Sequence, residues 1–225
     1  MPNIQEVLRE TQDIFKYLVE NEITFIPNTI VVTGNRLSWD RDTEGTKFLI
    51  ERGVETPRSY LHWLATSSYS AVLNDGSLLQ VAYEFEGGEP IYHRLAYIPS
   101  PLLVDFKQEP PIFPLDEYMS LLVEDGMTLL MRSPIRFDFD KKNASASHPN
   151  SHLTFNSQHC RIGCVSPLRV SRFIYFIFKN FYPDIFKDHT YLQTLPLDGW
   201  FPNREDFTDT SEMHFHWPRQ PIAIS

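Results

Sequence analysis

Cysteine is nearly missing from this 225-residue chain: Cys160 and Cys164 are the two thiols, and both fall in the stretch "CRIGC". Two thiols build no disulfide framework, and their closeness suits small core or surface residues in a reducing compartment. His159 beside Cys160 does not complete a zinc pattern, which needs two pairs of ligands. Glycine is scarce as well, nine residues against 17 prolines, so stiff connections between short elements are expected. Phosphate-binding glycine loops, dinucleotide fingerprints, nucleophile elbows and His-Glu-x-x-His helices are all missing, which disfavours the enzyme classes that depend on them. No apolar run approaches the roughly 20 residues that span a bilayer. The opening "MPNIQEVLRETQDIF" is polar and mixed in charge, so neither a signal peptide nor a membrane anchor is expected, and the location reads as cytoplasmic.

Positive charge is also short overall, with 20 Lys and Arg against 29 Asp and Glu and a net charge of −9. That balance excludes a generally basic nucleic-acid binder. Its distribution is uneven. Residues 131–190 hold nine Lys or Arg against four Asp, a local +5 that leaves −14 for the rest. A basic patch on an acidic body can hold a phosphate or an acidic partner, and it can equally pair with acidic residues elsewhere in the fold.

What is present is apolar and aromatic residue in quantity, 42% and 14%, enough to bury one sizeable core and to favour a single domain over 1–225. In "NIQEVLRETQDIFKYLVENE", Ile4, Val7, Leu8, Phe15, Leu18 and Val19 form one stripe with Ile14 adjoining, which predicts an amphipathic helix. "IVVTGNRLSWD" reads as a strand pair turning at Thr33-Gly34-Asn35. The clearest fold signal spans 67–98, where Asp75-Gly76 and Gly87-Gly88 separate alternating runs and predict a three-stranded meander. Leu79, Val81, Tyr83 and Phe85 mark its buried face, and Gln80, Ala82, Glu84 and Glu86 an exposed one.

"LDEYMSLLVEDG" predicts a short helix ended by Gly126, and "TLLMRSPIRFDFD" a strand interrupted at Pro134. "SHLTF" is a candidate partner for that strand, which makes 141–150 a long hairpin connection. "SPLRVSRFIYFIFKNFYP" predicts a helix over 166–181, with Ser166 as N-cap, Pro167 in the first turn and Pro183 as its stop. "SEMHFHWP" alternates apolar residues with His214 and His216 and reads as a late strand. The expected fold is therefore α+β: a curved antiparallel sheet with a central β-meander, packed by the N-terminal helix and the 166–181 helix.

Three passages in order, "SYSAVLNDGSLLQVAYEFEGG" into "HRLAYIPSP", "RFDFD" with "SHPNSHLTF", and "CRIGCVSPLRVSRFIYFIFKNFYP", resemble the bacterial domain-of-unknown-function family 2290. The likeness is strongest over 67–183 and is carried by His-Pro-x-x-His and by the Ser-Pro helix that ends in Asn-Phe-Tyr. It implies a bacterial cytoplasmic protein from phage-defence surroundings, with a protein partner from the same operon as one option. No activity comes with it.

If "IRFDFD" is a strand, Arg136, Asp138 and Asp140 share one face and Phe137 and Phe139 the other. His148 and His152 lie four apart around Pro149. Histidine titrates nearest neutrality, so the pair can share acid and base steps in phosphodiester cleavage, with Asp138 and Asp140 as neighbouring carboxylates. Arg136, Lys141, Lys142, Arg161, Arg169 and Arg172 are the candidate contacts to phosphate. A metal-dependent hydrolase would use His148, His152 and one aspartate, but no metal and no cofactor is expected. The function read from sequence is thus binding of RNA or DNA by a basic, His-containing surface, with cleavage as an extension. The alternative is a non-catalytic subunit or regulator that binds a protein.

Overall fold

The computed structural model describes residues 3–39, 57–142, 149–155, 160–164, 166–196 and 214–215. Helix α1 (Ile4–Glu20) starts at a capping box: the Asn3 side chain accepts from the Gln5 and Glu6 amides, and the Glu6 carboxylate accepts from the Asn3 amide. Three amides at the helix start are thereby satisfied. Val7, Ile14, Phe15 and Leu18 are buried as the periodicity requires. Thr11 joins them by donating its hydroxyl to the Val7 carbonyl at 2.7 Å. Val19 departs from the expected stripe and is 40% exposed.

Strands β1 (Thr24–Pro27), β2 (Val31–Thr33) and β3 (Arg36–Ser38) come next, followed by helix α2 (Pro57–Ala65). The meander then runs through β4 (Ala71–Leu73), β5 (Leu78–Glu86) and β6 (Glu89–Ile98). After α3 (Leu115–Glu124) it continues through β7 (Ile135–Asp140), β8 (Ser151–Phe155) and β9 (Arg161–Cys164). The spatial order is β1-β4-β5-β6-β7-β8-β9, with the β2–β3 hairpin joined to β5 through β3. These pairings are antiparallel, so the α+β expectation holds. The departure is β10 (His214–Phe215), which lies parallel to β9. Helices α4 (Val170–Phe181), α5 (Pro183–Asp188) and α6 (Thr190–Gln193) stand between those two strands in sequence.

Local chemistry places the turns. Gly87 and Gly88 have φ of 60° and 85°, the pair of positive values that a two-residue turn between twisted strands needs. Gly76 has φ of 79°, and a Cβ there would meet the Ser100 hydroxyl and Val104 at 3.1 Å, so the site lacks both conformational and physical room for a side chain. The strand interrupted at Pro134 starts just after it, because proline has no amide to give the ladder. The Leu130 amide instead donates to the Pro101 carbonyl at 2.7 Å.

One sheet face carries Tyr83, Leu95, Phe137, Leu153 and Ile162, and it packs against the apolar sides of α1 and α4 in the main core. On the other face Val72, Leu78, Ala96 and Ile98 meet Tyr60, Trp63, Leu115 and Met119 of α2 and α3. This second layer corrects the expectation of an exposed outer face on β5. Gln80 and Ala82 are buried, and Gln80 donates its amide to the Ser68 carbonyl at 2.6 Å. A buried glutamine with its partner supplied is compatible with a covered sheet, which the alternation alone could not distinguish from an open one.

Helix α4 also corrects a boundary. It begins at Val170 rather than Ser166, with Arg169 at the N-cap position. Residues 166–168 are held to the sheet instead: the Ser151 hydroxyl donates to the Ser166 carbonyl at 2.9 Å, and the Leu168 amide donates to Nε2 of His93 at 2.9 Å. Glu10 of α1 serves as the acid at the helix start, accepting from Nη2 and Nε of Arg169 at 2.5 and 2.9 Å and from the Ser171 amide at 3.3 Å. Replacing Glu10 by Ala removes all three of these polar contacts between α1 and the start of α4. The expected loss is about 2 kcal/mol, the scale for a charge-assisted hydrogen bond, read as a lower urea midpoint at unchanged slope.

Candidate anion site on the polar sheet face

The pleat of β6 to β9 sends alternate side chains to the face opposite the main core, and antiparallel register then lines them up in rows. One row runs Arg94, Asp138, His152 and Gly163; the next runs Ala96, Arg136, Thr154 and Arg161. Arg136, Asp138, His152 and Arg161, separate in sequence, therefore share one face of three adjacent strands. Arg136, Asp138, His152 and Thr154 are buried.

Asp138 is the centre of the first row. Nε of Arg94 donates to its Oδ1 at 2.9 Å, and Nε of Arg136 donates to its Oδ2. Nε2 of His152 lies 3.6 Å from the same Oδ2, while Nδ1 of that ring is 2.9 Å from the Pro149 carbonyl. Burial by itself would raise the Asp138 carboxyl. The guanidiniums of Arg94 and Arg136, with His152 behind them, reverse that and hold it well below the usual carboxylate range. Burial likewise opposes the charge of Arg94, but Asp138 outweighs it and the guanidinium ends up raised. For Arg136 burial wins over Asp138, and its affinity for the proton is lowered.

This asymmetry follows from counting charge. Arg94, partly buried, draws on Asp140 as well as Asp138, whereas the buried Arg136 has Asp138 as its carboxylate, so Arg136 is the less well compensated. Arg136 commits its Nε to Asp138 and has no further hydrogen bond to the described residues. In the same row the Thr154 hydroxyl and Nε of Arg161 are buried without a hydrogen-bond partner among the described residues. Three neighbouring strands thus present uncommitted donors side by side.

The model of a family described as "Uncharacterized conserved protein (DUF2290)" matches residues 18–217. The chain belongs to this family. The DUF2290 match takes in all ten strands of the described residues and therefore both rows of the site. No curated protein and no solved structure matches.

Asp140 stands beside the first row and adds to the charge that keeps Arg94 protonated, while the other residues singled out in this DUF2290 chain are dispersed. Asp140 ends β7 at the rim and accepts from the Lys142 amide at 3.0 Å. Lys141 lies 3.6 Å from Glu89 across an exposed pair, and Lys142 is exposed. Arg169 is engaged by Glu10 on the helical side of the sheet, and Arg172 belongs to the same helix, so neither joins the Asp138 rows. His148 lies outside the described residues, as does His216. Cys160 and Cys164 form no disulfide, the first being exposed and the second buried. Among the described residues no three His, Cys, Asp or Glu side chains gather as metal ligands, and no helix is long and apolar enough to cross a membrane.

Arg94 and Thr154 are the members that sequence reasoning missed. Arg94 stands in a strand that, apart from Glu89 and His93, is apolar and aromatic, which was a signal. Its partner Asp138 is 44 positions away and becomes visible once the register is fixed.

Proposed function

We propose that the polar sheet face binds the phosphate backbone of nucleic acid, with Arg136, Thr154 and Arg161 as donors and Arg94, Asp138 and His152 as the brace that fixes Arg136. The observation that carries this reading is the buried, incompletely compensated guanidinium of Arg136 beside the unpartnered donors of Thr154 and Arg161 in its row. Buried polar groups are almost always paired, and a phosphate oxyanion supplies both the missing charge and the missing acceptors. Arginine is the residue suited to that contact because its planar fork meets two oxygens at once.

The reading is binding rather than turnover. Both ring nitrogens of His152 face protein oxygens, and Asp138 is occupied by two guanidiniums, so neither offers a ready proton acceptor to a substrate. Cleavage would have to draw on His148.

Fluorescence anisotropy of labelled single-stranded RNA and DNA at low salt tests the proposal. Arg161→Gln is expected to weaken binding three- to thirty-fold and to reduce the slope of log K against log salt by about 1, the signature of one lost phosphate contact. Absence of binding at low salt, or binding that Arg161→Gln and Thr154→Val leave unchanged, would overturn it. A protein partner, the other functional class, is favoured by a different surface.

A further inference from the structure

Residues 101–131 run from β6 to the start of β7 and expose an unusual amount of apolar side chain. Ile112 is 83% exposed, Leu103 is 71%, and Met131 is fully exposed, with Phe113, Leu121 and Leu129 also open to solvent. Isolated exposed apolar residues are ordinary, but these all fall within one segment of the chain, and part of that segment lines a cavity. Leu103, Val104, Tyr118, Leu122 and Met127 line a cavity of about 240 Å³ between the 103–109 loop and α3. The Leu130–Pro101 backbone bond brings the 129–131 stretch alongside the base of the same loop.

The charge around this surface has one sign. Residues 101–131 contain Asp105, Glu109, Asp116, Glu117, Glu124 and Asp125 against Lys107 alone. Asp105 and Glu109 themselves line the cavity. Its volume is below the range of roughly 300–1,000 Å³ usual for small-molecule sites and suits a single large side chain. Repulsion among the acidic groups and the apolar floor together favour a basic, amphipathic occupant.

We propose that this surface docks a basic amphipathic helix of a partner protein, one apolar side chain entering the cavity beneath Leu103 and flanking Lys or Arg residues meeting Asp105 and Glu109. This is the helix-in-groove mode, with charge setting the orientation. It does not depend on the nucleic-acid reading, since the Arg136 row lies on β7 to β9 and the docking surface on the 101–131 segment.

The test titrates the full chain into a labelled model helix with a Leu face and a Lys face, beside an otherwise identical helix bearing Glu in place of Lys. Micromolar binding of the basic helix alone is expected, with hydrogen-exchange protection confined to 103–127. Leu103→Ser, an exposed position, should weaken it at least tenfold, and Glu109→Gln should weaken it and reduce its salt dependence. Equal binding of both helices, no binding, or indifference to Leu103→Ser overturns the proposal. So does concentration-dependent dimerisation that Leu103→Ser abolishes, because the face would then belong to a second copy. Nucleic-acid binding should be unchanged in Leu103→Ser, which separates this test from that of the Arg136 row.

Discussion

Replacing Asp138 by Ala should destabilise the protein by about 3–5 kcal/mol, a large share of what an ordinary domain possesses. The loss comes less from the attraction removed than from the two guanidiniums left behind. Arg94 and Arg136 both place Nε on this carboxylate, and Arg136 is buried. Urea unfolding followed by circular dichroism gives the number. A triple replacement of Arg94, Arg136 and Asp138 by Met, Met and Leu should recover most of the lost stability, because a well-packed apolar trio does without the desolvation that the ion cluster carries. It should not recover phosphate binding. A loss below about 1 kcal/mol for Asp138→Ala would mean that water, rather than Asp138, compensates the arginines.

Acid should begin to destabilise the protein before its carboxylates titrate. His93 is fully buried on the core face between Tyr83 and Phe139, and its Nε2 is an acceptor for the Leu168 amide. Burial pushes its pKa down from 6.5 to about 3, against a smaller upward pull from Asp138. The folded protein therefore keeps His93 neutral over a range where the unfolded chain takes up a proton. Above pH 6.5 both states are neutral and stability is complete; as pH falls from 6.5 toward 3 it declines by on the order of 4 kcal/mol. Asp138, held below its ordinary value, adds its own loss only below about pH 4. Unfolding free energies measured from pH 7 to 4 should fall steadily in the wild type and remain much flatter in His93→Phe. An equally steep decline in that variant would place the titrating group elsewhere.

Features written in a few adjacent residues were legible in the sequence. The Asp75-Gly76 and Gly87-Gly88 turns need positive φ and say so locally, and α1 is visible in its spacing. The pairing of β7 with β8 was legible because two alternating segments flank a polar connection. Features set by a distant partner were not. The first turn expected at Ser166 is pulled onto the sheet by Ser151 and His93, and the outer side of β5 is covered by α2, whose Tyr60, Trp63 and Leu64 spacing was passed over.

The candidate site divides in the same way. Alternation along "IRFDFD" correctly put Arg136 and Asp138 on one face, since that follows from a strand's period of two. Which arginines would meet which carboxylate depends on register across β6 to β9, and no single segment records it. Arg169 shows the converse: it counted toward a basic cluster by proximity in sequence, while the fold gives it to Glu10, 159 positions earlier.

That last contact also shapes how the chain leaves the ribosome. The meander from β4 to β9 joins neighbours in sequence and can close as it is made, but part of the cover on the apolar side of α1 comes from α4. At about 5–20 residues per second, α1 must wait roughly 10–30 s for Arg169 and its helix to emerge. During synthesis the first helix is thus a sticky, unpaired element, and crowding or chaperone depletion should harm the nascent chain there before it harms the sheet.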